Sequence, residues 1–169
     1  AYDAVHKKWA GSVLLMGGCR LFLWWTIATA GTEISNELSA LVFVWSIALL
    51  LYIAGITLVA RGEAIGTLPS VPWPYVLLFV QVILGVFFCF YGGRWLVLPI
   101  IGILGWGIYM GVCHARRKGP GIGKGVALWL ALITIGDAVA VCLVAPAWGL
   151  ALMVGLPISL WMQKKYAAT

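Results

Sequence analysis

Long apolar segments separated by short polar ones dominate the hydrophobic pattern of this 169-residue chain. A helix needs about 20 apolar residues to cross a hydrocarbon layer of about 30 Å, and six segments have about that length. We therefore predict one transmembrane domain over residues 1–169, an all-α polytopic helical bundle that forms part of a larger bundle. The predicted transmembrane helices cover roughly 12–30, 38–60, 75–91, 95–113, 125–143 and 147–163.

Composition supports a membrane location for the whole chain. Hydrophobic residues make up 63% of the sequence and charged residues only 9%, whereas a soluble domain has about 25% charged residues. The net charge of +6 does not indicate a nucleic-acid partner, because the basic residues lie between apolar segments, where they anchor loops to anionic lipid. Membrane lipid is the partner that this composition predicts.

The distribution of basic residues predicts the orientation of the chain. Nine of the eleven Lys and Arg residues fall on one side of the six-span arrangement, Arg94 falls on the other, and Arg20 lies within a span. The positive-inside rule then predicts that both termini face the cytoplasm. The nine residues on the cytoplasmic side are Lys7, Lys8, Arg61, Arg116, Arg117, Lys118, Lys124, Lys164 and Lys165.

Arg20 is the residue that most needs an explanation, because it stands well inside the apolar segment SVLLMGGCRLFLWWTIATAG. A charge at that depth costs about 2.5–3.5 kcal/mol on insertion scales unless it faces a cavity or a partner. Three interpretations remain open at the level of sequence. Arg20 forms a structural pair with Asp137, the one acid deep within a span; it binds an anionic head group such as a diphosphate in a cavity open to the cytoplasm; or it extends to the interface.

The remaining motifs indicate structure rather than chemistry. Gly107 and Gly111 form a G-x-x-x-G pattern, which allows close packing of helices. The loop around Lys124 lacks the spacing of a phosphate-binding P-loop. His6 and His114 have no matching cluster of Cys or carboxylate residues, so we predict no metal site among these side chains.

Two segments resemble a known family. The run YDAVHKKWAGSVLLMGGCRLFLWW, from Tyr2 to Trp25, and the run YIAGITLVARGEAIG, from Tyr52 to Gly66, are similar to the C-terminal half of the UbiA superfamily of intramembrane prenyltransferases. More narrowly, the chain looks like a divergent EboC-like branch of that superfamily. Tyr2 stands at the start of a family Tyr-x-x-x-Lys motif, with His6 at the lysine position and Lys7 immediately after it.

The resemblance implies a helical bundle around a central cavity that binds a polyprenyl diphosphate. In the family, two aspartate-rich motifs hold Mg²⁺, the diphosphate leaves, and the prenyl group is transferred to an aromatic or other acceptor. The ligand implied is an isoprenoid diphosphate or a quinone-like molecule. The residues implied as candidates for binding the substrate and its diphosphate are Tyr2, His6, Lys7, Arg20, Tyr52, Arg61 and Glu63.

The chain departs from the family at the second aspartate-rich motif. Ile53 and Ala60 stand where family aspartates are expected, only Glu63 remains, and the first motif would lie upstream of Ala1. Mg²⁺ is therefore expected only if that upstream motif exists, and this chain alone is expected to be incomplete or inactive as a prenyltransferase. The alternative is a non-catalytic membrane subunit, or a protein that binds an isoprenoid, quinone or pigment, within a larger membrane complex.

Overall fold

The structure is a computed structural model, and every regular element in its described part is helical. It describes the backbone of residues 12–30, 36–65, 72–117 and 120–166, and the side chains of 17–26, 39–61, 72–117 and 121–165. Within those ranges there is no β-strand. The prediction of an all-α chain is confirmed.

Eight α-helices follow one another along the described chain, and a 3₁₀ turn at Trp95–Val97 precedes the fifth. Their boundaries reproduce the apolar segments to within a few residues, except at the C-terminal end. The helices are α1 (Ser12–Ala30), α2 (Asn36–Ile65), α3 (Trp73–Leu78), α4 (Val80–Tyr91), α5 (Leu98–Ala115), α6 (Pro120–Cys142), α7 (Pro146–Leu152) and α8 (Gly155–Tyr166).

Four helical segments of the described chain are long and apolar enough to cross a membrane: Ser39–Arg61, Trp73–Tyr91, Trp95–Ala115 and Gly121–Cys142. The second of these joins α3 to α4, which are separated only by Phe79. The four correspond to the second, third, fourth and fifth predicted spans. This is an integral membrane protein by the length and composition of its helices.

Helices α2 and α6 form the centre of the bundle. In the most apolar 18-residue stretch of each of these two helices, 61% is buried. The corresponding share is 28% in the segment Trp73–Tyr91 and 33% in the segment Trp95–Ala115. Helix α2 packs against α1, α3, α4 and α6, while α6 packs against α2, α5, α7 and α8. The other helices therefore surround this pair and present their outer faces away from the core.

A chain of hydrogen bonds joins the central helices to α5. The Tyr52 hydroxyl on α2 donates to the Trp129 carbonyl on α6 at 2.8 Å. The Trp129 indole N–H in turn donates to the Ile108 carbonyl on α5 at 3.1 Å. Both aromatic side chains are fully buried, and such side chains normally find a partner for their polar atom. These two bonds fix the relative positions of three helices.

Glycines bring α5 close to α6. A Cβ atom at Gly107 would lie 2.7 Å from a methyl carbon of Leu132, and one at Gly111 would overlap the Trp129 indole. A larger residue at Gly107 would displace the Leu132 side chain, and one at Gly111 would displace the Trp129 indole. The G-x-x-x-G pattern is thus used for packing between two helices of this chain, as small residues are in other membrane proteins.

The last predicted span, 147–163, is divided into two short helices rather than one. The cause is Pro157: in a continuous helix its ring would clash with the carbonyl of Met153, four residues earlier. The chain turns at that point, and the Leu156 N–H donates instead to the Met153 carbonyl at 3.2 Å, three residues back. A tighter 3₁₀-type turn of this kind often marks a helix kink.

Together, α7 and α8 still run back along α6. Gly149 lies against Cys142, Gly155 lies against Thr134, and the Gln163 side chain donates to the Ala127 carbonyl at 3.1 Å. The contact points thus descend α6 in order. The residues of the sixth predicted span occupy the length of a membrane helix, but as a bent pair.

Candidate functional site

Arg20 lies near the middle of α1, the ninth of its 19 residues. At 1.5 Å per residue, this is about 12 Å from the first residue of the helix. Its side chain is exposed, as are those of its neighbours Cys19, Phe22 and Leu23. A guanidinium is therefore open to its surroundings in the middle of an otherwise apolar helix.

Asp137 lies across from α1, on the central helix α6, and its side chain is half-buried. The Trp24 indole N–H donates a hydrogen bond of 3.1 Å to an oxygen of this carboxyl group. Trp24 is four residues after Arg20 and therefore lies on the same face of α1. The arrangement directs the Arg20 face of α1 towards the acidic residue of the core.

Trp25, the next residue, attaches α1 to α2. The Trp25 indole N–H donates to the Ser46 hydroxyl on α2 at 3.1 Å, and Ser46 itself donates to the Phe43 carbonyl at 2.8 Å. The rings of Trp25 and Phe43 make an edge-to-face contact with centroids 5.7 Å apart. Trp24 thus attaches α1 to α6, and Trp25 attaches it to α2. These two bonds fix the position of the helix that carries Arg20.

Arg20 and Asp137 do not form an ion pair. No nitrogen–oxygen contact within 4 Å joins the two side chains, both of which the structure describes. The Asp137 carboxyl group accepts a hydrogen bond from the Trp24 indole instead. Among the described residues, none accepts a hydrogen bond from the Arg20 guanidinium, which carries five N–H donors.

Tyr52 occupies a different part of the bundle. Its side chain has no exposure, and its hydroxyl is used in the bond to Trp129 described above. This role is structural, because the bond joins α2 to α6. The structure gives Tyr52 a place in packing and does not bring it into contact with Arg20.

The structure describes only some of the other residues predicted to bind substrate. Arg61 lies half-buried near the end of α2 and has an interaction partner of its own. Glu63 lies on the last turns of α2, and its side chain is outside the described residues. Tyr2, His6 and Lys7 also lie outside the described residues.

Two polar residues of this region are missing from the sequence-based candidates. Trp24 could have been found from its spacing of four residues after Arg20. Gln81 on α4 is fully buried, and a Cβ at Gly136 would lie 2.6 Å from its amide oxygen. Gly136 therefore makes room for the Gln81 amide beside Asp137, and no described residue makes a hydrogen bond to that amide.

The residues present do not fit a Mg²⁺–diphosphate site. Ile53, at a position where the resemblance expects an aspartate, is buried in the hydrophobic core with 4% exposure. Across the described residues, no group of three or more His, Cys, Asp or Glu side chains comes together. A magnesium ion between carboxylates and phosphate would need further acidic ligands, so we derive no chemical step through a metal.

Comparison with known proteins gives no match to a family model, to a curated protein or to a solved structure.

Proposed function

We propose that this chain forms the C-terminal part of a UbiA-like membrane prenyltransferase bundle, in which Arg20 binds the diphosphate of a polyprenyl substrate. The observation that supports this proposal is the exposed guanidinium in the middle of α1, attached to the core through Trp24 and Asp137. The planar guanidinium fork matches the geometry of phosphate oxygens and binds them by two parallel hydrogen bonds. An apolar helix surface beside it suits an isoprenoid chain.

In this proposal, α1 and the bent pair α7–α8 cross the membrane together with the four long apolar segments, so the chain has six spans. Both termini face the cytoplasm of a bacterial inner-type membrane, according to the positive-inside rule. That topology puts Lys7, Arg61 and Glu63 at the cytoplasmic end from which the diphosphate enters. Arg20 lies deeper, towards the prenyl chain.

A second candidate is a non-catalytic membrane protein that binds an isoprenoid, quinone or pigment, alone or within a larger complex. The burial of Ile53 favours it, because the family position for a metal-binding aspartate faces the core of this bundle. Arg20 would still bind an anionic or carbonyl-bearing head group. The two candidates share the ligand site and differ in whether the diphosphate is released.

The test uses the protein as isolated from its native membrane, with its intact mass and N-terminal sequence determined first. It is then incubated with farnesyl diphosphate and 4-hydroxybenzoate, with Mg²⁺ or with EDTA, and released pyrophosphate is measured. Release that requires Mg²⁺, from a chain carrying an upstream N-x-x-x-D-x-x-x-D run, supports the enzyme. Saturable binding without release supports the second candidate, and the absence of both contradicts the two.

A further inference from the structure

A cavity of about 500 Å³ opens at the end of the bundle opposite Arg61 and His114. One set of lining residues lies before and at the start of α5: Val97 in the 3₁₀ turn and Ile100 in the helix. Cys142, at the end of α6, and Leu150, in α7, also line the cavity. The volume lies within the range of about 300–1,000 Å³ that is usual for small-molecule sites. The lining is almost wholly apolar, so the cavity suits a hydrocarbon chain.

Arg94 is the one charged residue among those that line this cavity, and its side chain is exposed. Asp137 is the only acidic residue whose side chain the structure describes, and it bonds to Trp24. No described side chain therefore neutralises Arg94. The predicted topology places no other Lys or Arg on this side, and it places Glu33 and Glu37 there, whose side chains are outside the described residues.

Exposed aromatic side chains occur at this end of the bundle: Trp95 lines the cavity, and Tyr91 and Trp148 lie two residues in sequence from lining residues. Tyr91, Trp95 and Trp148 are 85%, 53% and 74% exposed. Tyrosine and tryptophan are enriched where a membrane protein crosses from hydrocarbon to water. Their presence puts the mouth of the cavity at the level of lipid head groups, with Leu96, 88% exposed, among them.

We propose that this cavity binds one anionic phospholipid, with an acyl chain between α5 and α7 and the phosphate on Arg94. A guanidinium that no described side chain neutralises donates strong, charge-assisted hydrogen bonds to a lipid phosphate, and the apolar walls make van der Waals contacts with an acyl chain. A soluble anion would gain from Arg94 alone and nothing from the cavity. This lipid site is at the opposite end of the bundle from the cytoplasmic entrance proposed above and does not depend on it.

The test is native mass spectrometry of the purified chain, titrated with dioleoylphosphatidylglycerol or dioleoylphosphatidylcholine. Arg94→Gln is expected to weaken binding of phosphatidylglycerol by about tenfold, as loss of one charge-assisted contact does. Arg116→Gln, an exposed arginine at the other end, is the matched control and should bind as the unchanged chain does. Leu150→Trp, which fills the cavity from a residue that is 57% exposed, should weaken binding of both lipids.

Three results would overturn the lipid site. The first is equal binding of phosphatidylglycerol by Arg94→Gln and Arg116→Gln. The second is unchanged binding after Leu150→Trp, which would show that the cavity takes no acyl chain. The third is displacement of the lipid by millimolar inorganic phosphate, which would make Arg94 a phosphate site without a lipid component.

Discussion

The Tyr52 hydroxyl is a single polar atom in the apolar core, yet it connects the two central helices. Tyr52→Phe keeps the ring and removes the bond to the Trp129 carbonyl. We expect a loss of about 1 kcal/mol in the free energy of unfolding, the usual value for one buried hydrogen bond. Thermal unfolding can be followed by reaction of the buried Cys89 and Cys142 thiols with a maleimide dye, after exposed Cys19 and half-buried Cys113 are replaced by Ser.

Tyr91→Phe is the control for this prediction. Tyr91 is 85% exposed and its ring stacks on Phe87, so loss of its hydroxyl should leave the midpoint of unfolding unchanged. Equal midpoints for Tyr52→Phe and Tyr91→Phe would show that the bond between α2 and α6 contributes nothing.

At this scale the sequence singled out Arg20 and Asp137 but not the contacts that they make. Arg20 and Asp137 were visible as charges within apolar segments, because charge is a property of one position. The rotation of α1 about its axis decides which tryptophan reaches Asp137. Trp24 donates to Asp137, whereas Trp25 donates to Ser46. Tyr52 lies in the segment that resembles the UbiA superfamily, so the sequence suggested a role in binding. Its packing role depends on the position of Trp129 on α6, which the sequence does not give.

Helix α5 offers a matched pair of glycines that tests how closely the helices pack. A Cβ at Gly111 would overlap the Trp129 indole, whereas a Cβ at Gly102 would meet nothing within 4 Å. Gly111→Ala should therefore destabilise the bundle by about 1–3 kcal/mol, the usual effect of overpacking. Gly102→Ala should be neutral or slightly stabilising, because alanine is the better helix former.

The same thiol-reactivity assay gives both midpoints of unfolding. An unfolding midpoint for Gly111→Ala equal to that for Gly102→Ala would contradict the close approach of α5 and α6. A lower midpoint for Gly111→Ala, with loss of the Trp129 bond to Ile108, would agree with the structure. The pair shares one helix, so differences in intrinsic helix propensity cancel.

The elements themselves were largely predictable because hydropathy reports burial in lipid directly. The bounds of α1 coincide with the predicted span, and the four long segments were all anticipated. The bent pair α7–α8 was not, since the hydropathy of 147–163 is continuous and Pro157 can be tolerated within a membrane helix. Only the contacts with α6 show that the chain kinks there and still runs alongside it.

For the whole molecule, the central claim is that Arg20 binds the anionic head of an isoprenoid ligand. In our proposal the guanidinium, which is exposed on α1 and forms no ion pair with Asp137, donates hydrogen bonds to a diphosphate. The competing account is the structural pair, in which Arg20 exists to balance Asp137. The two accounts differ in what happens when the charge at position 20 is removed.

The most direct measurement is the affinity of the nanodisc-embedded chain for farnesyl diphosphate and for farnesol, in the unchanged protein and in Arg20→Leu. Arg116→Leu serves as the control. We predict that Arg20→Leu folds, loses at least about tenfold in affinity for the diphosphate, and binds farnesol as before. Unchanged diphosphate affinity, or an unfolded Arg20→Leu that Asp137→Asn restores, would contradict the claim and identify a structural pair.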